Sequence, residues 1–384
     1  MILEAIDKLV RGESLDADQA SGAMSEIMDG EATPAQIAAL LVALRMKGET
    51  IEEIAGLARV MRSRATPVDV GDLEVIDTCG TGGDRSGTFN ISTAAAIVAS
   101  AAGVPIAKHG NRAMSSKCGS ADVLEALGVQ INLDAEEVAR CVRYVGIGFM
   151  FAPLFHPAMK YAAPVRRELG TRTVFNILGP LTNPAGARSQ VLGVADPALA
   201  PKMAGVLELL GAQHALVVHG DGGMDELSIT GPSVLYRVRA GHPTERMEVT
   251  PEELGLARAP RESLMGGTAE ENAAIIRSVL SGARGPQRDV VLLNAAAALL
   301  AAEVVPSMLE GVDIAAQAID SGAALDTLER LARFSQNPVL TGGPPAEEAV
   351  NIEAALSVEL HLEIAATHNS KLHVESKKGA EVAA

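Results

Sequence analysis

The chain has 384 residues, of which 48% are hydrophobic and 21% charged, a composition typical of a soluble globular protein with an ample core. This length exceeds that of a typical single domain, so we expect one large domain and a smaller one. The formal net charge of −16 and the aromatic content of 2% argue against a nucleic-acid partner, because nucleic-acid binding relies on clustered Lys and Arg and on aromatic stacking. A local basic pocket for a small anionic molecule remains compatible with this acidic composition.

The sequence shows no pattern typical of export or of membrane insertion. Its first residues, MILEAID, lack a basic segment followed by an apolar one, and no apolar run reaches about 18 residues. Cys79, Cys118 and Cys141 form neither a metal-type spacing nor an even disulfide set. We therefore expect a cytoplasmic protein with reduced thiols and no membrane partner.

The first 65 residues are predicted to be entirely helical. Apolar residues recur at helical spacing in 1–28, where Asp16 or Asp18 is placed to cap a second helix. Thr33, followed by Pro, and Thr50, followed by Ile-Glu-Glu, are typical starts of a third and a fourth helix. A bundle this small cannot bury every helix face, so we expect it to pack on another part of the protein or on a second subunit.

From Glu74 the pattern changes to strands alternating with helices, which indicates an α/β domain whose central mixed sheet is flanked by helices. The predicted strands are 74–79, 104–109, 189–195, 214–219, 233–238 and 246–249. The segment 153–184 is predicted to be helical over 156–169 and then irregular, because Pro, Gly and Asn interrupt its apolar residues. We interpret this segment as a hinge or crossover that returns to the helical part. The predicted later helices are 269–283, 289–303 and 312–333.

These patterns predict two domains and an extension. The helical domain covers 1–70, with the crossover returning to it, and the α/β domain covers 71–336. A Gly- and Pro-rich run at 341–345 lies within the extension over 337–384. We assign no function to the extension.

The segment 75–93 has the pattern of a phosphate-binding loop. A short apolar strand ends in Gly80-Thr-Gly-Gly-Asp, and Asn90, Ser92 and Thr93 then lead into an alanine-rich helix over 94–102. Glycines allow the backbone to approach an anion, and the free N–H groups and dipole of a helix N-terminus attract it. The segment matches neither of the two common nucleotide-binding motifs, so a tight turn with an ordinary helix cap is the alternative.

A second polar loop follows the strand predicted at 104–109. It places Lys108, Arg112 and Lys117 within ten residues, together with Asn111 and two serines. Open α/β sheets bind ligands at the carboxyl ends of their strands. A solvated surface loop is the alternative, but with the glycine loop one strand earlier, an anion-binding loop is favoured. The adjacent His109 is more often a hydrogen-bonded structural histidine than a base.

Two further pairs suggest binding chemistry. Asp225-Glu226 follows another strand and glycine turn and suits Mg²⁺, which takes one or two carboxylates together with substrate phosphates and waters. Asp84 and Asp221 are possible further partners of such an ion. Arg166, beside Arg167 on the helix before the hinge, suits a carboxylate, because a guanidinium makes planar bidentate contacts. An acidic surface pair and an exposed helix face are the alternatives.

Five motifs together resemble the anthranilate phosphoribosyltransferase family. In the family's order, the chain carries DTCGTGGD from Asp77, NIST from Asn90, KHGNR from Lys108, FNILGPLTNP from Phe175 and DELS from Asp225. The resemblance covers residues 1 to about 336. It implies a small helical domain with a larger α/β domain, a homodimer formed through the N-terminal helices, an active site at the hinge and a role in tryptophan biosynthesis.

The resemblance also implies the site residues and the cofactor, Mg²⁺. The substrates phosphoribosyl diphosphate and anthranilate would be bound by Gly80, Gly83, Asp84, Thr88, Asn90, Ile91, Ser92, Thr93, Lys108, His109, Gly110, Asn111, Arg112, Ala113, Met114, Ser115, Ser116, Ser120 and Arg166. Within this set, Asn111, Arg166 and Gly80 would contact anthranilate. Ser92, Asp225 and Glu226 would ligate Mg²⁺.

The chemistry implied by the resemblance requires no general base. An aromatic amine is neutral at pH 7, so the protein must mainly stabilise the departing diphosphate and hold the amine in line, with Lys108 and Arg166 in support. We find no convincing nucleophile–base pair in the sequence.

Two alternative functions remain. One is a pyrimidine nucleoside phosphorylase, which the Lys108 loop disfavours. The other is a non-catalytic nucleic-acid-binding relative, for which a basic net charge would be expected.

Overall fold

The N-terminal part consists of four helices. The computed structural model describes residues 1–113 and 117–337, and the predicted extension lies outside the described residues from 338 onward. The four helices are α1 (Ile2–Val10), α2 (Ala17–Met28), α3 (Pro34–Lys47) and α4 (Ile51–Ser63). Asp16, Thr33 and Thr50 cap α2, α3 and α4 in reciprocal capping boxes, which satisfy N–H groups that the helix cannot pair itself. Asp16, not Asp18, is therefore the cap of the second helix.

The inner faces of these helices share one apolar core with the α/β part. Leu40 of α3 and Ile54 of α4 are buried in the same cluster as Leu207 and Val217 of the α/β part. Glu53 is fully buried, and its carboxylate accepts hydrogen bonds from the main-chain N–H groups of Leu15 (2.9 Å) and Thr50 (2.8 Å) and pairs with Lys47 (2.9 Å). The bundle thus packs on another part of the same chain, the first of the two expected solutions.

Within the described residues, seven strands form one sheet. They are β1 (Ile76–Gly80), β2 (Ile106–Gly110), β3 (Ile147–Phe151), β4 (Ser189–Gly193), β5 (His214–His219), β6 (Ser233–Arg239) and β7 (Glu245–Val249). Their order is β3-β2-β1-β4-β5-β6-β7. Strands β1 to β5 are parallel to one another, and β6 pairs antiparallel with both β5 and β7. The predicted mixed sheet is confirmed, and its parallel strands end at one edge.

Helices cover the sheet and complete the α/β part. They are α5 (Ile91–Ala101), α6 (Ser120–Ala126), α7 (Ala135–Val145), α8 (Ala152–Phe155), α9 (Ala163–Leu169), α10 (Phe175–Leu178), α11 (Leu199–Leu209), α12 (Ala269–Leu280), α13 (Pro286–Ala301), α14 (Met308–Asp320) and α15 (Ala323–Gln336). The most deeply buried is α13, whose residues from Val290 to Ala301 are all buried. None of the described helices is both long and apolar enough to span a bilayer.

Three predictions about these elements are wrong. The sequence pattern predicts no strand at β3, which follows α7 after the single residue Gly146. The predicted helix 312–333 is two helices, α14 and α15, because Gly322 has a φ of +83° and ends the first. The predicted helix 156–169 is broken into a 3₁₀ turn beginning at Pro157 and the short α9, with Pro164 in its first turn.

The segment 153–184, predicted to be a hinge or crossover, contacts the core of the helical bundle. Val165 of α9 and Phe175 of α10 are buried in the core cluster shared with the bundle. Main-chain hydrogen bonds join Thr66 N to Phe155 O (2.8 Å) and Val68 N to Pro184 O (3.1 Å). This segment, called the crossover below, therefore ties the linker after α4 to the α/β part.

Candidate active site

The carboxyl ends of β1 and β4 form a glycine floor beneath Asp225. Gly80 and Gly193 lie opposite each other in the parallel register. A Cβ added at Gly80 would lie 2.5 Å from Asp225 Oδ2, and one added at Gly193 would lie 1.6 Å from Asp225 O. Gly82 N donates to Asp225 Oδ2 over 2.7 Å. The absence of two side chains thus allows the acidic loop to rest directly on the sheet edge.

Asp225 and Glu226 form a half-buried carboxylate pair at the start of α5. Glu226 Oε1 accepts a hydrogen bond from Ser92 N (3.2 Å). Burial raises the pKa of both carboxyls, helped by the charge of Asp84 at Asp225 and by that of Asp225 at Glu226. Among the described residues, no cluster of three or more His, Cys, Asp or Glu side chains could hold a metal ion by itself. The pair therefore fits a hard divalent cation that takes further oxygen ligands from a substrate.

The first cavity, the glycine-loop cavity, has a volume of about 410 Å³. It is lined by residues 82–92 and by Lys117, Cys118, Asp225, Glu226, Met265, Gly266, Gly267 and Asn272. The sequence did not predict the contribution of 265–272, which carries none of the motifs quoted above. Its role is visible in the structure, where Gly266 N donates to Gly87 O (2.9 Å) and Thr88 pairs with Met265 in an isolated bridge.

Asn90 is the residue before α5, but its side chain does not cap the helix. The side chain instead joins three segments, since Nδ2 donates to Cys118 O (3.3 Å) and Oδ1 accepts from Asn272 Nδ2 (2.9 Å). The helix begins at Ile91, three residues before the predicted start. Asn90 therefore fixes the wall of the glycine-loop cavity at the point where α5 begins.

Lys108, which the sequence analysis groups with the polar loop, lies within β2 and is almost fully buried. Its Nζ donates to Thr78 O, and lies 3.3 Å from Thr78 Oγ1 and 3.4 Å from Ser92 Oγ. Burial lowers the pKa of Lys108, and the neighbouring charge of Asp77 opposes that shift. The ammonium of Lys108 thus lies behind the wall of the glycine-loop cavity and contacts Ser92, which lines that cavity.

The other residues of the predicted polar loop have different surroundings. Arg112 forms ion pairs with Asp122 (3.0 Å) and Glu125 (2.5 Å), so its charge is compensated. Lys117 lines the glycine-loop cavity. Residues 114–116, which hold the predicted Met114, Ser115 and Ser116, lie outside the described residues.

The second cavity, the hinge cavity, has a volume of about 600 Å³ and lies between the sheet edge and the crossover. The predicted residues Gly80, His109, Gly110, Asn111 and Arg166 all line it. The guanidinium of Arg166 lies over the ring of Phe175, 5.1 Å from its centroid, and burial lowers its pKa. Arg167 is exposed. The hinge cavity thus combines apolar walls with one guanidinium, which suits a flat aromatic acid.

The structure brings the predicted residues into two groups and leaves others aside. Gly83, Asp84, Thr88, Asn90, Ile91 and Ser92 line the glycine-loop cavity. Thr93 is buried in α5. Arg112, Ala113 and Ser120 are not among the residues that line either cavity; Ser120 Oγ donates to Asn111 O (3.3 Å) at the edge of the hinge cavity. Asp221 is exposed and accepts from Thr230 Oγ1 (2.8 Å), so it does not join the acid pair.

Two histidines form part of the hinge cavity wall. The rings of His109 and His156 lie 5.0 Å apart, and both side chains are buried. Among the described residues, neither Nε2 atom has a hydrogen-bond partner. Burial, with His156 nearby, lowers the pKa of His109 to about 3, and burial lowers that of His156 to about 4. Both rings are therefore neutral near pH 7, which agrees with a structural role and not with that of a proton donor.

The lowered pKa values of these two histidines predict that the stability of the folded protein depends on pH. Between pH 6.5 and pH 4 the unfolded chain binds more protons than the folded protein, so the free energy of unfolding falls as the pH is lowered. At pH 5 the expected loss is roughly 2 kcal/mol per histidine. Urea titrations at pH 7 and pH 5 measure it in the wild type and in the His109→Gln/His156→Gln variant. The variant should lose less stability between these pH values than the wild type, and an equal loss would contradict the prediction.

Comparison with known proteins identifies the family of this chain. A family model described as the glycosyl transferase family, helical bundle domain, matches residues 3–65, and that of the glycosyl transferase family, a/b domain, matches residues 72–325. The anthranilate phosphoribosyltransferase of Roseiflexus castenholzii is 62% identical over 335 residues, which cover 87% of this chain and 98% of that protein. The chain belongs to the anthranilate phosphoribosyltransferase family.

Solved structures of this family confirm the fold. The crystal structure of anthranilate phosphoribosyltransferase from Thermus thermophilus is 50% identical with a TM-score of 0.82, covering 86% of this chain and 99% of that one. The enzyme from Saccharomyces cerevisiae in complex with PRPP and Mg is 29% identical with a TM-score of 0.80, covering 87% and 98%. The family and the fold class predicted from the sequence are thus confirmed.

Proposed function

We propose that the protein transfers the phosphoribosyl group of 5-phosphoribosyl 1-diphosphate to the amine of anthranilate, as an enzyme of tryptophan biosynthesis. The observation that carries the proposal is the pair of cavities on the two sides of the Gly80–Gly83 turn. One presents glycine N–H groups, a helix N-terminus and two carboxylates, and the other presents apolar walls and Arg166. Family membership and the PRPP and Mg bound to the yeast relative support the same assignment.

In this proposal the glycine-loop cavity holds phosphoribosyl diphosphate. Gly83, Asp84, Thr88, Asn90 and Ser92 line the cavity, and the N–H groups of the glycine turn and of α5 suit phosphate oxygens. Thr93 and Lys108 support this wall from within, Lys108 by its contact with Ser92. The hydrogen bond from Gly82 N to Asp225 Oδ2 ties the turn to the acid pair.

Asp225, Glu226 and Ser92 would hold Mg²⁺ beside the diphosphate. Bound there, the ion would neutralise the charge that develops on the leaving diphosphate. Burial raises the pKa of both carboxyls, so a divalent ion bound between them would offset the cost of burying their charges. Lys108, buried beneath Ser92, adds positive charge on the same side.

Anthranilate would occupy the hinge cavity with its carboxylate on Arg166 and Asn111 and its ring near Gly80. The amine nitrogen then attacks the anomeric carbon of the ribose, the bond to the diphosphate oxygen breaks, and the new ammonium releases a proton to water. Because the amine is neutral at pH 7, the protein contributes orientation and electrostatic stabilisation instead of a base. The neutral His109 in the wall agrees with this.

A fluorescence assay tests the proposed function. The full chain is mixed with phosphoribosyl diphosphate and Mg²⁺, anthranilate is added, and the loss of anthranilate fluorescence is followed. Fluorescence should fall, with release of one diphosphate per anthranilate consumed. No loss of fluorescence, or phosphate-dependent cleavage of thymidine or uridine by the same protein, would refute the proposal.

We also propose a cytoplasmic homodimer formed through the N-terminal helices. Leu3 and Val10 lie seven residues apart on one face of α1, and Val42 and Met46 lie four apart on α3; all four are exposed, Met46 by 83%. Because α1 and α3 pack together, these residues form an apolar surface that a second copy would cover.

The dimer prediction concerns this apolar surface. Leu3→Glu combined with Met46→Glu is expected to produce a monomer at micromolar concentration, because two charges would be buried in each copy's interface. Light scattering coupled to gel filtration measures the mass, and Arg167→Glu on the exposed face of α9 serves as the control. A wild-type monomer, or a variant that remains a dimer, would contradict the assignment.

A further inference from the structure

Arg172 connects the crossover to the glycine turn, and no sequence motif pointed to it. It lies in the loop between α9 and α10, with an exposed side chain. A Cβ built at Gly83 would lie 1.7 Å from Arg172 Nη1 and 2.9 Å from its Cζ, so the guanidinium packs directly on this glycine. Arg172 Nη2 also donates to Thr81 O over 3.3 Å. A cation of the crossover thus rests on the proposed diphosphate loop.

The backbone of Arg172 is held from the helical bundle. Arg45, near the end of α3, donates through Nη1 to both Arg172 O and Thr171 Oγ1. Thr173 N, the next donor along the chain, donates to Asn176 Oδ1 over 2.9 Å, and Asn176 lines the hinge cavity. A continuous set of contacts therefore runs from α3 through Arg172 to the glycine turn and to the wall of the proposed anthranilate pocket.

The charge of Arg172 is not compensated by an acid. Among the described residues, no carboxylate lies within 4.0 Å of its guanidinium, whereas Arg112 has two such partners. A guanidinium has five N–H donors, and in this structure the side chain contacts a carbonyl and a glycine. Its position therefore responds to any negative charge that enters the glycine turn.

A second arginine holds the same loop from the α/β part. Arg261 donates through Nε to Ser86 O (3.3 Å) and through Nη2 to Arg85 O (3.0 Å). Arg261 lies in a 3₁₀ turn at 261–264, outside the crossover. The glycine loop thus has two arginine anchors, of which only Arg172 leads to the hinge cavity, and this difference provides a matched comparison.

We propose that Arg172 is a positioning residue that couples the two halves of the site. A diphosphate on the glycine turn fixes Arg172, and Arg172 fixes the crossover wall against which anthranilate binds. Each ligand then tightens the binding of the other by the same factor, because coupling between two sites is reciprocal. This inference rests on the proposed function for the identity of both ligands.

Equilibrium titration of the full chain with anthranilate tests the coupling. Inorganic diphosphate with Mg²⁺ occupies the glycine loop without turnover, and the anthranilate Kd is measured by fluorescence with and without it. We expect saturating magnesium diphosphate to lower this Kd about five- to tenfold in the wild type, a typical coupling factor, and less than about twofold in Arg172→Ala. Arg172→Lys should recover part of the effect, since an ammonium can bond Thr81 O but cannot lie flat on Gly83.

Two control variants separate coupling from simple damage. Arg261→Ala should weaken the binding of magnesium diphosphate but keep the wild-type coupling factor, and Arg167→Ala should change neither. The melting temperature of each variant is measured to check that the replacement of Arg172 or Arg261 leaves the protein folded. A wild-type coupling factor of one, a coupling factor unchanged in Arg172→Ala, or equal loss of coupling in Arg261→Ala would overturn the inference. Absence of product in the transfer assay would refute the proposed function separately, since the coupling measurement requires no turnover.

Discussion

Replacing Asp225 with Asn and Glu226 with Gln is expected to abolish phosphoribosyl transfer while leaving the protein folded. The amides keep oxygens that can accept from Gly82 N and Ser92 N, but they lose the charge that holds Mg²⁺ against a diphosphate. The loss of this electrostatic stabilisation is several kcal/mol, so kcat should fall by about a thousandfold or more. Initial rates at saturating Mg²⁺ and both substrates measure the effect.

The stability of the double variant should be unchanged or increased. Both carboxyls have pKa values above their usual range in the folded protein without metal, so at pH 7 their ionised forms destabilise the folded state. The neutral amides remove that cost. Asp221→Asn is the matched control, because this exposed acid accepts a hydrogen bond from Thr230 Oγ1 in the same loop and lies outside the acid pair; it should retain near-normal rates. Near-normal turnover in the double variant would show that the acid pair does not hold the metal.

Arg166→Ala is expected to impair the use of anthranilate and to leave phosphoribosyl diphosphate almost unaffected. Loss of a charge-assisted bidentate contact costs on the order of 2–4 kcal/mol, or about 30- to 1000-fold in kcat/KM for anthranilate. The side chain lines the hinge cavity and not the glycine-loop cavity, so the KM for phosphoribosyl diphosphate should change less than about threefold. Steady-state kinetics with each substrate varied in turn separates the two.

Two further variants test the geometry of this contact. Arg166→Lys should recover only part of the activity, because an ammonium cannot make two planar hydrogen bonds. Arg167→Ala should be close to wild type, since its exposed side chain points about 100° away on the same helix. A defect of Arg166→Ala in the KM for phosphoribosyl diphosphate, or equal damage from Arg167→Ala, would place the anthranilate carboxylate elsewhere.

Local signals predicted most of the fold. The helix starts at Asp16, Thr33 and Thr50 are read from the sequence because each cap acts within three residues. Strand β3 was missed because Ile147–Phe151 is a short apolar run directly after a helix, so neither periodicity nor a turn distinguishes it. Its strand character comes from pairing with β2, a contact that the local sequence does not encode.

The site was predictable where one motif supplies the chemistry and not where distant segments meet. The glycine turn and the acid pair are predicted from the sequence because glycine N–H groups suit anions and adjacent carboxylates suit cations. The sequence grouped Lys108 with the polar loop after its strand, but it could not show that Nζ lies inside the fold beside Thr78 O and Ser92 Oγ, since both belong to other segments. Arg172 and Asn272 carry no local signal, since their significance comes only from Gly83 and Asn90 across the fold.

The glycine floor beneath Asp225 limits which amino acids the protein can tolerate at position 193. Gly193 is not proposed to contact either substrate, yet a methyl group there would overlap Asp225 O at 1.6 Å, and the obstacle is backbone that cannot swing aside. In a library of every codon, selected for growth of a tryptophan-requiring host, position 193 should therefore accept glycine alone. Selection would then retain glycine at position 193 as strictly as it retains a catalytic residue, because the missing side chain leaves the space that Asp225 O occupies.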